Sequence, residues 1–313
     1  MPILLTEAEV EINGHATDLA TGVSRVTPPA KARLLRRNCE LPPIPSVAVN
    51  LLGLLAKDDV GLGDVSDTIS ADATIAAEVL RAANTAYYGI RGEVTNIRHA
   101  TTLLGIARIR ALAATIGLRR YLGQALRLPA VQRCWRHNIA CAATAEQIAL
   151  RIGGNPADAY TAGLLHDIGR MALIVAHPKQ YPAFLDAADT RGVELLQLER
   201  NLLGMDHCEA GQWFAQQLLL PQVFQDVAGH HHNPDAVGPT DMLTRVSVAC
   251  QLAEWMGYWV TPVPEPVDQD PAQLDRVAHA LPLAQRVTLL SEIADLVADV
   301  GEQVRATESM FEG

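Results

Sequence analysis

Residues 155–170 read Asn-Pro-Ala-Asp-Ala-Tyr-Thr-Ala-Gly-Leu-Leu-His-Asp-Ile-Gly-Arg, and this stretch decides the fold class. Asn155 supplies an N-cap and Pro156 a first helical residue, a position that has no use for the missing N–H. Ala159, Ala162 and His166 then recur at i, i+3 and i+7, one face of a helix. His166 is therefore expected to point into an apolar layer rather than to solvent. An ionisable His166-Asp167 pair in such a layer needs a partner or a ligand, because burying a charge alone is costly.

The same punctuation recurs on both sides. Asp64 can cap a short helix ending near Ser70, and Asp72 the next one, in which Ile75, Val79 and Ala82 share a face. Asn96 can cap a third over Ile97, Ala100 and Leu104, with Gly105 bending or ending it, and Ile109, Leu112, Ala113 and Ile116 give a further apolar stripe. Pro129 opens a segment through Trp135, His137, Ile139 and Ala142. Downstream, Gly204 ends one helix, and Asp206 with Glu209 three residues on forms a capping box that places His207 in a first helical turn. Pro221 starts a helix that Pro234 must stop shortly after His230, His231 and His232. A proline-rich acidic stretch at 262–271 precedes an amphipathic helix through Val287, Leu290, Ile293, Val297 and Val300, which can dock on the body or on a second subunit of a homodimer. No run alternates long enough to make a sheet strand, so the fold class is all-α.

Composition narrows the function classes. Hydrophobic residues make up 49% and aromatics only 4%, so aliphatic side chains must fill the core. A net charge of −10 argues against nucleic acid as a partner, since cationic contacts to phosphate supply most of that affinity. The five cysteines, Cys39, Cys134, Cys141, Cys208 and Cys250, show no CxxC spacing and are odd in number, which fits reduced thiols better than a disulfide framework. No apolar run approaches the roughly 20 residues of a membrane span, and the N-terminus lacks a signal-peptide pattern. A soluble, cytoplasmic protein with no membrane partner is expected.

His137, the His166-Asp167 pair, His207 and the His231-His232 pair form the candidate metal constellation. Nitrogen and carboxylate ligands suit Zn, Fe, Mn or Ni, and several helices can direct them inward. Two ions about 3.5–4 Å apart would activate water and neutralise phosphate. Asp167 would then bridge the ions or hold the attacking water. Taken singly, each histidine is weak evidence: His137 alone is more often a hydrogen-bonded, partly buried residue, His207 alone more often a helix-end residue, and a histidine triplet often a loop feature.

The ordered set resembles the HD superfamily of metal-dependent phosphohydrolases, in which a His-Asp doublet is the defining feature, with His137 standing where that family's first ligand histidine would be. His207, His231 and His232 follow in the order of the related HD-GYP cyclic-dinucleotide phosphodiesterases. Upstream, Leu-Pro-Pro-Ile-Pro-Ser-Val-Ala (41–48), the run from Asp72 to Gly89 containing Asn84, Tyr87 and Tyr88, and Asn-Ile-Arg-His-Ala-Thr-Thr-Leu-Leu-Gly (96–105) resemble the HDOD (HD-related output domain) family. That resemblance spans about residues 41–260. It implies a two-lobed helical module with an N-terminal lobe at 41–125 and an HD-like lobe at 126–260. An extension at 1–40 precedes them, and a proline-rich linker with C-terminal amphipathic helices at 261–313 follows.

Departures from the hydrolase pattern bear on chemistry. Cys250 stands where the closing carboxylate is expected, Arg133 where an acidic ligand precedes the first histidine, and Arg170 where a lysine often follows the doublet. Two ions carry four positive charges, and Asp167 would be the only carboxylate left from the expected set. Cys250 can in principle bind as thiolate, since an ion lowers a cysteine pKa. Glu199, Asp206 and Arg170 can pair around the site and replace metal charge with a side-chain network. The function that follows is a non-catalytic bacterial signalling module with no required cofactor and no catalytic residue. It would act through a protein partner or a bound nucleotide or cyclic dinucleotide, keeping a vestigial or weak site for a divalent transition metal. The alternative is a metal-dependent phosphohydrolase, in which Asp167 would carry the chemistry.

Overall fold

Side-chain caps set where the helices begin. The computed structural model describes residues 61–85, 89, 93–188, 195–238, 241–262 and 270–310. The N-terminal extension, the proline-rich entry at 41–45, the Tyr87-Tyr88 corner and most of the acidic linker lie outside the described residues. The first four helices are α1 (Leu62–Ser70), α2 (Ala73–Ala83), α3 (Ile97–Leu104) and α4 (Ile106–Leu122). Asp72 caps α2 through the Thr74 and Ile75 N–H groups, and Asn96 caps α3 through that of His99. Asp64 is no N-cap. It lies inside α1 and its carboxylate reaches back 3.1 Å to the Gly61 N–H, because the chain turns helical three residues earlier than an aspartate cap would set. Asn84 ends α2 and holds the following segment with both ends of its amide, donating to the Val94 carbonyl and accepting from the Val94 N–H.

The second group carries the doublet. It comprises α5 (Pro129–Ile152), α6 (Pro156–Leu165), α7 (Ile168–Ala176), α8 (Gln180–Ala187), α9 (Leu195–Leu203), α10 (His207–Gln217), α11 (Gln222–His230) and α12 (Asp241–Trp255). Asn155 caps α6 as expected, and the Asp206–Glu209 capping box starts α10. Among the described residues there is no strand. The fold is all-α.

Two aliphatic cores give it two lobes. The smaller gathers Val65, Ile69, Ile75, Val79 and Ile97 with Ile109, Leu112 and Ile116 of α4. The larger is built on α5, α6, α7 and α12. Helix α4 faces both, since Ala111, Ala114 and Leu118 belong to the larger core. Its mixed polarity comes from being a shared wall rather than a surface helix.

The C-terminal segment docks on the body. After α13 (Pro271–Ala278) it forms α14 (Leu283–Ser291) and α15 (Ile293–Ser309), two helices rather than one, broken at Glu292. The buried face runs through Leu289, Leu296, Val300 and Val304, while Val287 of the expected stripe is exposed. The break shifts the register of the apolar stripe. Arg151 of α5 clamps the pair by ion pairs to Glu292 at 3.3 Å and Asp299 at 2.7 Å. No described helix is long and apolar enough to cross a membrane.

Candidate metal centre

Two glycines let backbones meet around the doublet. A Cβ on Gly163 would lie 2.8 Å from the Ala142 Cα, so α6 lies directly against α5, which carries His137. A Cβ on Gly169 would collide with the His207 carbonyl and with Gly211, so only glycine lets α7 cross α10 there. The doublet is not inside one continuous helix. His166 closes α6 and Asp167, at φ −100° and ψ 24°, opens α7. The break turns the two side chains toward each other's neighbours instead of placing them on successive faces.

His137, His166, Asp167, His207 and His231 are all buried and lie together. His232 is exposed but belongs to the cluster, its ring centroid 4.4 Å from that of His231 and 5.2 Å from that of His207. The sixfold set read from the sequence is thus one constellation. It opens to a cavity of about 550 Å³ whose lining includes His137, Arg170, His207, His232, Cys250 and Glu254.

Half of the constellation is a charge-compensated network. Arg170 Nε donates to Asp167 Oδ2 at 2.6 Å, and its Nη1 donates to Glu199 Oε1 at 3.0 Å. His207 places Nδ1 2.7 Å from Glu199 Oε2 and Nε2 3.2 Å from Asp167 Oδ1. Both ring nitrogens face carboxylates, so His207 is an imidazolium. Burial and the neighbouring guanidinium oppose that charge, and the two carboxylates outweigh them and raise its pKa well above the ordinary value. Arg170 Nη2 is 3.2 Å from Nδ1 and 3.1 Å from Nε2, which puts the guanidinium over the ring face. Burial would raise the Glu199 carboxyl, but His207 and Arg170 bring it down to about 2. Asp167 is likewise held well below its ordinary range, chiefly by Arg170 against the pull of burial. Two cations and two anions sum to zero without any ion.

The other half is a set of lone pairs. His137 donates Nδ1–H to the Tyr258 carbonyl at 2.7 Å, and His166 donates Nδ1–H to the Gly163 carbonyl at 2.6 Å. Each bond fixes the tautomer, as backbone carbonyls do for metal-bound histidines. The two Nε2 atoms then face each other at 3.2 Å. Burial, then the second imidazole, lowers the His137 pKa to about 4, and burial lowers His166 as well, so neither ring brings a proton to that gap. Cys250 Sγ lies 3.6 Å from His137 Nε2. Close by, His231 Nε2 is buried with no hydrogen-bond partner, 3.6 Å from Asp167 Oδ1, the oxygen that also faces His207 Nε2 at 3.2 Å.

These residues fit one ion and not two. Converging lone pairs on one side are what a cation would satisfy. On the other side Arg170 and the His207 imidazolium already supply positive charge. Groups able to hold an ion are His137, His166 and Cys250, and also His166, Asp167 and His231. A grouping of His207 and Cys208 with His231 and His232 exists by distance, but both His207 nitrogens are committed to carboxylates.

Other expected neighbours lie elsewhere. Arg133 does not enter the site and adds no charge there. Its Nε donates to the Val260 carbonyl and its Nη2 pairs with Asp186 at 2.5 Å. Asp206 caps α10 and pairs with Arg200 rather than joining Arg170. Two participants carry no signal in the motif order. Tyr181 donates to Glu199 Oε1 at 2.5 Å and accepts from Arg170. Glu254 lies one helical turn beyond Cys250 and lines the same cavity. Burial raises its pKa to about 7. Its i+4 spacing from Cys250 is the one sequence signal that points to it.

A family model described as HDOD domain matches residues 41–234. An uncharacterized protein of Treponema pallidum is 23% identical over 236 residues, covering 74% of this chain, which spans only 44% of that protein's length. Among solved structures, an HDOD domain protein with unknown function from Geobacter sulfurreducens superposes with a TM-score of 0.66 at 24% identity, over 87% of this chain and 96% of that one. A Marinobacter aquaeolei protein named provisionally for signal transduction superposes at 0.65 with 21% identity, over 92% of this chain and 63% of that one. At these identities the structures share the fold.

Proposed function

The chain belongs to the HDOD domain family, and from that premise we propose that it is a non-catalytic signalling module acting through a protein partner or a ligand in the cavity beside the doublet. One observation carries the reading: the Arg170 guanidinium stands between Asp167, Glu199 and His207, where a second ion of a binuclear hydrolase would need those same groups. Binuclear phosphoester hydrolysis needs two cations to hold the attacking and leaving oxygens. Arginine supplies a charge there but no coordination site. The naming of the Marinobacter protein for signal transduction agrees with this role. An ion bound on the His137 side would supply Lewis acidity to whatever enters the cavity. His137 and His166 would hold it through Nε2, each steadied by its backbone carbonyl. Arg170 keeps Asp167 ionised and turned inward.

The cavity, at about 550 Å³, is of small-molecule size, since ligand pockets span about 300–1,000 Å³. Arg200 lies in its lining and suits an anionic ligand such as a nucleotide. The experiment is turnover of bis(p-nitrophenyl) phosphate and cyclic dinucleotides by protein loaded with Mn, Fe or Zn. Rates at the level of the Asp167→Ala variant are expected. Robust turnover that this substitution abolishes sinks the proposal.

A further inference from the structure

We infer that His137, His166 and Cys250 form a single thiolate-bearing site for a borderline-soft divalent ion such as zinc. The inference rests on the non-catalytic reading only in placing one ion rather than two. Its own support is geometric. A tetrahedral ion with nitrogen ligands at about 2.0–2.1 Å and sulfur at about 2.3 Å has edges of about 3.3 Å between nitrogens and about 3.6 Å between nitrogen and sulfur. The observed separations are 3.2 Å between the histidine Nε2 atoms and 3.6 Å from His137 Nε2 to Cys250 Sγ. All three ligand atoms lie within 4.8 Å of one another. Two edges of the triangle, both from His137 Nε2, thus match those of a coordination tetrahedron.

The orientation of each group agrees. Both imidazoles present a bare Nε2 because their Nδ1–H groups are committed to the Tyr258 and Gly163 carbonyls. No proton donor separates the two lone pairs, and such a contact between neutral acceptors is repulsive until a cation enters it. Cys250 has no acidic side chain bonded to it and sits on α12 facing His137. His137 and Cys250 also line the cavity, so an ion held by them would lie beside the space a ligand would enter. Catalytic and regulatory ions keep such an open position, whereas structural zinc is closed by four protein groups.

A thiolate changes which ion is held. Carboxylate at the closing position suits Mn and Fe, and sulfur moves the preference toward Zn and Co. On binding, Cys250 loses its proton to solvent and a sulfur–metal bond forms, with no change of oxidation state. Arg170, bonded to Asp167 Oδ2 on the far side, opposes a second cation. One equivalent per chain follows.

Cobalt(II) alone is the probe. Chelator-treated full-length protein is titrated with Co²⁺ and followed by absorption, with pH-stat measurement of released protons. One equivalent is expected, with tetrahedral d–d bands and a sulfur-to-cobalt charge-transfer band in the near ultraviolet. Cys250→Ser is expected to lose the charge-transfer band and bind at least tenfold more weakly. Cys250→Asp is expected to bind without that band and to shift preference from Zn toward Mn. Cys208→Ser keeps the band and identifies the thiol should the Cys250 variants fail to fold. Wild-type protein that binds cobalt without the band, binds no cobalt, or loses the band in Cys208→Ser overturns the inference. Phosphodiester turnover is read separately, so a failed thiolate site and a failed non-catalytic reading give different results.

Discussion

The two halves of the centre share Asp167 and differ in almost everything else. Around His207, every buried charge has an opposite within 3.2 Å, supplied by Arg170, Glu199 and Asp167. Around His137, two buried imidazole nitrogens face each other without a proton between them, and the Cys250 thiol converges on one of them. The first arrangement is complete as it stands and gains nothing from an ion. The second is stable only if something positive fills it or if rigid packing forces it. A single arginine accounts for much of the contrast, since it brings one side the charge that metal would otherwise bring.

The glycines that build each half offer the largest test. Gly169→Ala would drive a methyl into the His207 backbone, where neither helix can yield without moving the network. A loss above about 4 kcal/mol, or failure to fold, is expected in urea denaturation. Gly163→Ala acts on the other half and meets the Ala142 Cα at 2.8 Å, a tight contact but a less severe one. It should cost less than Gly169→Ala. The reverse order would mean that the α7–α10 crossing is not what holds the compensated half.

Arg170→Met comes next. It leaves Asp167 and Glu199 buried with only His207 between them, and removing one partner of a buried pair costs about 3–5 kcal/mol. Metal analysis of the variant should also show uptake rising above one equivalent, because the second set of ligands is released. A variant as stable as wild type, still limited to one ion, would break the comparison at its centre. Arg170→Lys keeps the charge but not the fork, and should fall between the two.

Much of the helical frame was legible because caps are local chemistry. Asp72, Asn96, Asn155 and the Asp206–Glu209 box all act where their spacing puts them. The clustering of the histidines was legible from a resemblance in motif order rather than from periodicity. The division of that cluster was not, because it depends on which way long side chains turn. Arg170 could pair with carboxylates from several directions, and Arg133 could point inward or outward, and only the packing of α7 and α8 decides. Glu254 was hidden for a similar reason: it belongs to no motif, and only the next turn of α12 beyond Cys250 brings its carboxylate to the same cavity. The register of the terminal helices failed because the break at Glu292 has no proline or glycine to mark it.

The two halves should also yield to acid in separate windows. Burial holds His137 at about 4 against an ordinary 6.5, so the unfolded chain takes up the proton first. Stability in metal-free protein therefore falls as pH drops from 6.5 toward 4. His137's share of the loss is about 3 kcal/mol, since each pH unit between the two values is worth about 1.4 kcal/mol, and His166, His231 and His232, lowered in the same direction by burial, add to it. Glu199, lowered from 4.5 to about 2, contributes stability above pH 4.5 and loses it only as pH falls further toward 2. His207 is protonated in both states below 6.5 and adds no slope there. Thermal denaturation across pH 7 to 3 should show the first loss in wild type and a shallower one in His137→Asn. Identical profiles would mean that the rings are not held neutral.

The smallest effect is the most useful control. Asn155 accepts from the Ala157 N–H at 3.1 Å and caps α6, the helix that ends in His166, but it touches neither half of the centre. Loss of an N-cap costs about 1 kcal/mol. Asn155→Ala should lower stability by that amount in urea denaturation while leaving the cobalt spectrum and one-ion stoichiometry as in wild type. If it instead weakened cobalt binding, the His137 half would owe its geometry to overall helix stability rather than to the carbonyl bonds on His137 and His166. Spectrum and stability moving independently is what separates a built ligand set from lone pairs that packing alone has trapped.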